Sequence, residues 1–366
     1  MLKTRASLEK IKPYKPGKLI EELVREYGFT GEIIKLASNE NPLGASPKAL
    51  AALSHSLTEV HRYPDNSCYA LKNRLSEMHE TPTNYITIGN GSVEIILQAS
   101  LAYLDSKSEA IMSSTSFIMY PVGTNICGAK PVVVPIKDYK HDLKAILAAI
   151  TAKTKIIFLD NPNNPLGSVI DRKQMDAFIA KVPDHVLVVI DEAYYEYVGN
   201  MDYPRSLHYV HEGHNVLLLR TFSKIYGLAG LRIGYGFAKP EIIEAIGKVR
   251  LPFAVSRPAQ IAALAALEDE DHRDESRAMN EAGKLYLSKE LERMNLEYVP
   301  TYGNFIFINF GTDAGPIYHG LERRGIIVRP VASHSDALRT TIGTPEQNKK
   351  LVTSLEEIMA GKESKG

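Results

Sequence analysis

Four short stretches of this chain set polar, titratable side chains directly behind apolar runs. Val186 to Ile190 is followed by Asp191-Glu192-Ala193-Tyr194, and Val216 to Leu219 by Arg220-Thr221-Phe222-Ser223-Lys224 with Gly227, Gly230 and Arg232 close behind. Ile156 to Leu159 leads into Asp160-Asn161-Pro162-Asn163-Asn164-Pro165-Leu166-Gly167, and Ile86-Thr87-Ile88 into Gly89-Asn90-Gly91-Ser92. A carboxylate at the end of a buried run is costly without a partner, so Asp191 is either the N-cap of a following helix or the counter-charge of a cationic ligand group. Lysines are ordinarily solvated, yet Lys224 sits with two hydroxyls and an arginine in a glycine-rich loop between apolar runs. The Asn-Pro segment is a turn, or a rigid loop presenting side-chain amides. A glycine turn feeding a helix start exposes backbone N–H groups to an anion, although Ser92 taken alone reads as a helix cap.

Such residues need a scaffold that brings strand ends together. Further apolar runs at Ala110 to Met112, Val132 to Val134 and Ile233 to Phe237 read as strands, with helical spacing near 117–127, 141–150, 171–181 and 239–249. Strands alternating with helices predict an α/β fold with a mostly parallel central sheet covered by helices, which binds ligands beyond the strands' carboxyl ends. Beyond about residue 255 the texture changes: one or two long helices over 257–295, then Phe305 to Asn309, a helix near 313–324, short strands at 326–328 and 338–342, and a final helix from Pro345 to Met359. The expected organisation is an N-terminal arm and short helix ending at Gly28 (1–30), a large domain (31–255) and a smaller α+β C-terminal domain (256–366).

Composition narrows the function classes. Forty-three Lys and Arg balance 43 Asp and Glu across 366 residues, which argues against a dedicated nucleic-acid binder. No apolar run has the ~20 residues of a membrane span, and the polar start lacks a secretory h-region. Two cysteines, Cys68 and Cys127, cannot build a disulfide framework, so a reducing cytoplasm is expected. His208, His211 and His214 lack the partners of a metal site and read as solvated, so no metal is expected. The run Glu268-Asp269-Glu270-Asp271 reads as an exposed junction between helices.

Taken together, the order Asn-Pro, Asp-x-x-Tyr, Ser-Lys, Arg resembles the pyridoxal-phosphate aminotransferases of fold type I, over nearly the whole chain. Pro13-Tyr14-Lys15-Pro16-Gly17, Leu36 to Gly44, Arg62-Tyr63-Pro64-Asp65, Asn161 to Gly167 and Thr221 to Arg232 are similar to the histidinol-phosphate branch and to the closely related aromatic-amino-acid aminotransferases. The resemblance implies pyridoxal 5'-phosphate as cofactor and L-histidinol phosphate with glutamate or 2-oxoglutarate as substrates.

It also implies roles. Lys224 would bond the cofactor aldehyde and carry the substrate proton, and Asp191 would pair with the ring nitrogen. Asn164 and Tyr194 would hydrogen-bond the ring's phenolic oxygen, and Phe117 would stack on the ring unless it is a plain core residue. Gly91, Ser92 and Val93, with Thr221, Ser223 and Arg232, would hold the cofactor phosphate. Tyr63 would reach the neighbouring subunit's phosphate, which requires a homodimer. Arg339 matches the arginine that takes a substrate carboxylate and Arg329 a second anion position, while Tyr14 and Asn39 would line the substrate side. Two departures stand out: Val93 replaces the usual acidic residue, and the segment Ala332 to Ala337 before Arg339 is short.

Three other readings compete. One keeps the reaction with phenylalanine or tyrosine as substrate. Another is a decarboxylase of a phosphorylated amino acid on the same scaffold. The third is a non-catalytic effector module, which would need a DNA-binding segment that residues 1–40 do not contain.

Overall fold

The computed structural model describes residues 2–9, 11–13, 17–29, 31–199 and 201–361. Its strands are β1 (Ile34–Lys35), β2 (Ile86–Gly89), β3 (Glu109–Ser113), β4 (Lys130–Val134), β5 (Thr154–Asp160), β6 (Leu187–Asp191), β7 (Val216–Thr221), β8 (Gly234–Phe237), β9 (Glu297–Val299), β10 (Phe305–Asn309), β11 (Ile326–Ile327), β12 (Arg329–Val331) and β13 (His334–Thr341). The large sheet has the order β2-β8-β7-β6-β5-β3-β4, parallel except for β8, which runs against both neighbours. β9, β10, β12 and β13 make a separate antiparallel sheet, and β1 pairs with β11.

The apolar runs become central strands because both of their faces are covered. Ile157, Leu159, Val188, Ile190 and Leu218 enter one core cluster, while Ile156, Phe158, Leu187, Val189, Leu217 and Leu219 enter another on the opposite face. This alternation fixes register, since a one-residue slip would exchange the two faces. Helices cover the strands and are capped from the sequence: Asp171 accepts from Gln174 N–H at 2.8 Å ahead of Arg172–Ile179, and Thr344 with Gln347 forms a capping box on Pro345–Met359. The helix Ile20–Tyr27 ends at Gly28, whose φ of 62° suits a residue without Cβ. A third cluster joins Leu287 and Leu291 of Glu270–Arg293 with Ile306 and Ile308 of the small sheet and Leu351 and Leu355 of the last helix.

The expected strand at 326–328 is present as Ile326–Ile327, paired with Ile34 and Lys35 and not with the small sheet. The short segment before Arg339 is a tight hairpin, with β13 starting at His334. One expectation needs correction. Asp269 is buried rather than exposed, because Ser46 Oγ (2.5 Å) and Lys48 N–H (3.2 Å) donate to its carboxylate at the start of Pro47–Ser56. Of the spaced histidines, His211 Nε2 lies 3.0 Å from Thr81 Oγ1 and His208 lies 3.1 Å from Glu212.

Candidate active site

The carboxyl ends of β5, β6 and β7 are Asp160, Asp191 and Thr221. Asp160 and Asp191 are register partners, and strand alternation turns both toward the face carrying Phe158 and Val189. The next residue, Glu192, is buried with its carboxylate 2.9 Å from Arg220 Nη2, and Arg220 lies 3.7 Å over the Tyr195 ring. Of the two consecutive carboxylates, Asp191 is therefore the one left toward the ligand side. A cavity of about 450 Å³ opens there, lined among others by Ser92, Val93, Phe117, Asn164, Asp191, Tyr194, Thr221, Ser223, Lys224, Arg232, Asn39, Arg329 and Arg339.

Asp191 is buried and forms no ion pair within the described residues; Tyr120 O–H (3.2 Å) and Ala193 N–H (3.2 Å) donate to it. Burial, reinforced by the neighbouring Asp160 charge, pushes its carboxyl up to about 7. A cationic ring nitrogen is the kind of partner such a buried acid lacks. Lys224 Nζ donates to Ser38 O at 3.0 Å, and burial, then the nearby Arg339 charge, brings its amine down to about 7. An amine with that value is partly neutral at neutral pH and can form a bond to carbon or take a proton. The Tyr194 hydroxyl accepts from Asn39 Nδ2 at 2.9 Å, its ring lies edge-on to Phe305, and burial pushes it up to about 12.

At the other end, Gly91 precedes the helix Ser92–Tyr103, and a Cβ on it would come 2.5 Å from Arg232 Nη2. The arginine thus lies across the helix start, and only glycine allows that approach at φ 79°. Arg232 also donates from Nη1 to Ser223 Oγ (3.3 Å), and Thr221 Oγ1 lies 3.0 Å from the same hydroxyl. Backbone N–H groups, two hydroxyls and a guanidinium make a built anion cup. The usual acid is missing at Val93, but Glu94 accepts from Asn90 N–H at 2.5 Å and steadies the turn. The cavity therefore pairs an anion cup with an aromatic wall, a buried acid and a buried amine, which fits pyridoxal phosphate.

On the small-sheet side Arg329 and Arg339 are register partners in β12 and β13 and both line the cavity. Two guanidinium groups on register partners of adjacent strands can both reach one anion in the cavity. Arg339 donates to Asn164 Oδ1 and Ala37 O, each at 2.6 Å. Asn39, at φ 54°, donates its backbone N–H to Thr341 Oγ1 (2.9 Å), so the N-terminal segment ties Tyr194 to the small sheet. Tyr63 lies away from this cavity, 80% exposed and stacked on Phe253 at 4.7 Å; Tyr14 is outside the described residues. Sequence reasoning assigned no role to Asp160, Tyr120, Ser38 or Glu40. Asp160 ends an apolar run as Asp191 does, and Ser38 and Glu40 flank Asn39 in the segment Leu36 to Gly44, so signals were available for these three; Tyr120 carries none.

A family model described as aminotransferase class I and II matches residues 31–355. A histidinol-phosphate aminotransferase from Pseudomonas fluorescens is 45% identical over 96% of this chain and 96% of its own length. One from Moorella thermoacetica is also 45% identical, over 98% of this chain and 93% of its own. The crystal structure of histidinol-phosphate aminotransferase from Sinorhizobium meliloti, in complex with pyridoxal-5'-phosphate, superposes with a TM-score of 0.91 at 27% identity, covering 99% of this chain and 98% of that one.

Proposed function

The chain belongs to the class I and II aminotransferases, and from that membership we propose that it is a pyridoxal-phosphate-dependent transaminase acting on L-histidinol phosphate in histidine biosynthesis. It moves the amino group to 2-oxoglutarate, giving imidazole acetol phosphate and L-glutamate. The observation that carries the substrate reading is the opposed pair Arg329 and Arg339 on the same cavity as Lys224. A guanidinium fork accepts a phosphate monoester and a carboxylate alike, so one site serves two unlike partners in turn.

When bound, pyridoxal phosphate supplies an aldehyde that takes up and releases the amino group, and a ring that accepts the electron pair freed at the substrate carbon. Its phosphate would rest on Ser92, Val93, Thr221, Ser223 and Arg232. Asp191 would hold a proton on the ring nitrogen, Asn164 and Tyr194 would hydrogen-bond the phenolic oxygen, and Phe117 would cover a ring face. Lys224 Nζ would move the proton off and back onto the reacting carbons, close enough to Tyr194 (5.6 Å from its ring) to share the same wall.

Turnover by purified protein decides the substrate. Histidinol phosphate is expected to exceed phenylalanine and tyrosine in kcat/KM by roughly 100-fold or more, well within the discrimination that a site built to bond a polar group can give. Equal values would move the enzyme to the aromatic branch, and carbon dioxide release would make it a decarboxylase. Arg339→Ala is expected to raise KM for both histidinol phosphate and 2-oxoglutarate roughly 100-fold, and Arg339→Lys to restore only part, because an ammonium cannot form the fork. A rise for one substrate alone would separate the two anion sites.

We also propose a cytoplasmic homodimer with a shared site: Tyr63 stacks on Phe253, both stand exposed as do Leu251 and Val60, and two cysteines suit a reducing compartment. No described helix is long and apolar enough to cross a membrane. Mixed dimers of Lys224→Ala and Tyr63→Ala subunits would contain one intact site if Tyr63 crosses over. Their activity is expected to exceed that of either pure variant; activity equal to the mean of the two would place Tyr63 outside the partner's site.

A further inference from the structure

His141 belongs to none of the motifs above, yet it is buried beside the active site. Its Nε2 is 3.2 Å from Asp160 Oδ1 and 3.0 Å from the Asp160 backbone oxygen, and its Nδ1 is 2.7 Å from Ser113 Oγ at the end of β3. The Asn163 amide nitrogen, 3.3 Å from Nε2, directs its hydrogens to Asp160 Oδ1 and Thr115 O. Two oxygens facing Nε2 put the ring proton there.

Asp160 in turn organises the loop after β5. Its Oδ2 accepts the Asn164 N–H at 2.8 Å and its Oδ1 accepts from Asn163 Nδ2 at 3.1 Å. Asn164 then receives Arg339 at 2.6 Å, so one chain of contacts runs from His141 to the anion-binding arginine. Asp160 also stands beside Asp191 in register, and its charge is the second influence, after burial, that pushes the Asp191 carboxyl up. Two adjacent buried carboxylates resist ionising together, yet a protonated ring nitrogen needs Asp191 to be the anion. Asp191 is otherwise faced by Tyr120, Tyr194 and Lys224; His141 is faced by Asp160, with Lys137, Lys140, Asp142 and Lys144 on the groove outside it.

We infer that His141 is a positioning residue: its Nε2–H holds the Asp160 carboxylate on the Asn163–Asn164 loop and offsets its charge, leaving Asp191 to carry the anion opposite the cofactor's ring nitrogen. This rests on the cofactor reading above and adds a residue to it.

The test uses full-length protein reconstituted with pyridoxal phosphate. His141→Phe is expected to weaken cofactor binding about tenfold or more, the range of directly coupled pairs, and to displace the pH midpoint of the bound cofactor's absorbance by about one unit. His141→Gln, which keeps an N–H donor, should retain most of the wild-type affinity. In an Asp160→Asn background there is no charge to offset, so His141→Phe should change affinity by less than about twofold. If His141→Phe does not fold, His141→Asn, too short to reach Asp160, replaces it with the same expectations. Wild-type affinity and midpoint in the variant, or an undiminished loss in the Asp160→Asn background, overturns the inference. Wild-type protein that fails to bind pyridoxal phosphate overturns the cofactor reading and this inference with it; wild-type binding with unresponsive variants overturns this inference alone.

Discussion

Lys224→Ala is expected to lower transamination on the order of 10⁴-fold, the upper range for loss of a positioned proton-transfer group. The loss should appear in both half-reactions, because the proposed role gives one Nζ to the incoming and the outgoing substrate alike. Borohydride should fix the cofactor to wild-type protein and to no residue of the variant, while the cup around Arg232 still binds it reversibly. Fold should not suffer. The amine is brought down to about 7 by burial, so between about 7 and its ordinary 10.5 the unfolded chain holds a proton that the native chain lacks. Unfolding takes up that proton, and cofactor-free wild type therefore gains stability relative to the variant as pH rises through this window. Near-normal turnover by the variant would remove Lys224 from the chemistry.

Asp191→Asn is expected to lower kcat/KM roughly 1000-fold, since an amide cannot hold a proton on the ring nitrogen by charge. It should also loosen the cofactor. Its stability signature has the opposite slope to that of Lys224. The carboxyl is pushed up from 3.8 to about 7, so between these values the native cofactor-free protein holds a proton that the unfolded chain has released. Wild type therefore loses stability relative to the variant as pH rises through that window, by several kcal/mol at full expression. Cofactor binding should flatten the slope by giving the anion a partner. An Asp191→Asn enzyme with ordinary turnover, or a wild type without the slope, would contradict the assignment.

Much of this site was legible because its motifs are local. Thr221 ends β7 with Ser223, Lys224 and Arg232 just behind it, and Asp191 ends β6 with Tyr194 just behind it, so a strand followed by its loop already delivers them to the same sheet edge. The buried helix start at Gly91 and Ser92 could be read in the same way. What was not legible depends on residues far apart in sequence. Asp160 and His141 meet across separate elements, and Asn39 reaches Tyr194 over 155 positions. Asp269 looked like solvent-exposed charge because nothing nearby in sequence signals that Ser46 and Lys48 will donate to it.

The sequence by itself determined the α/β alternation, the apolar strands and the identity of the groups waiting at their ends, because periodicity, caps and turn residues act over a few positions. Only the tertiary structure decided which strands are neighbours, which of Asp191 and Glu192 faces the cavity, and that Arg329 stands opposite Arg339. Those outcomes follow from sheet order and register, which arise from burying two faces at once between segments remote along the chain.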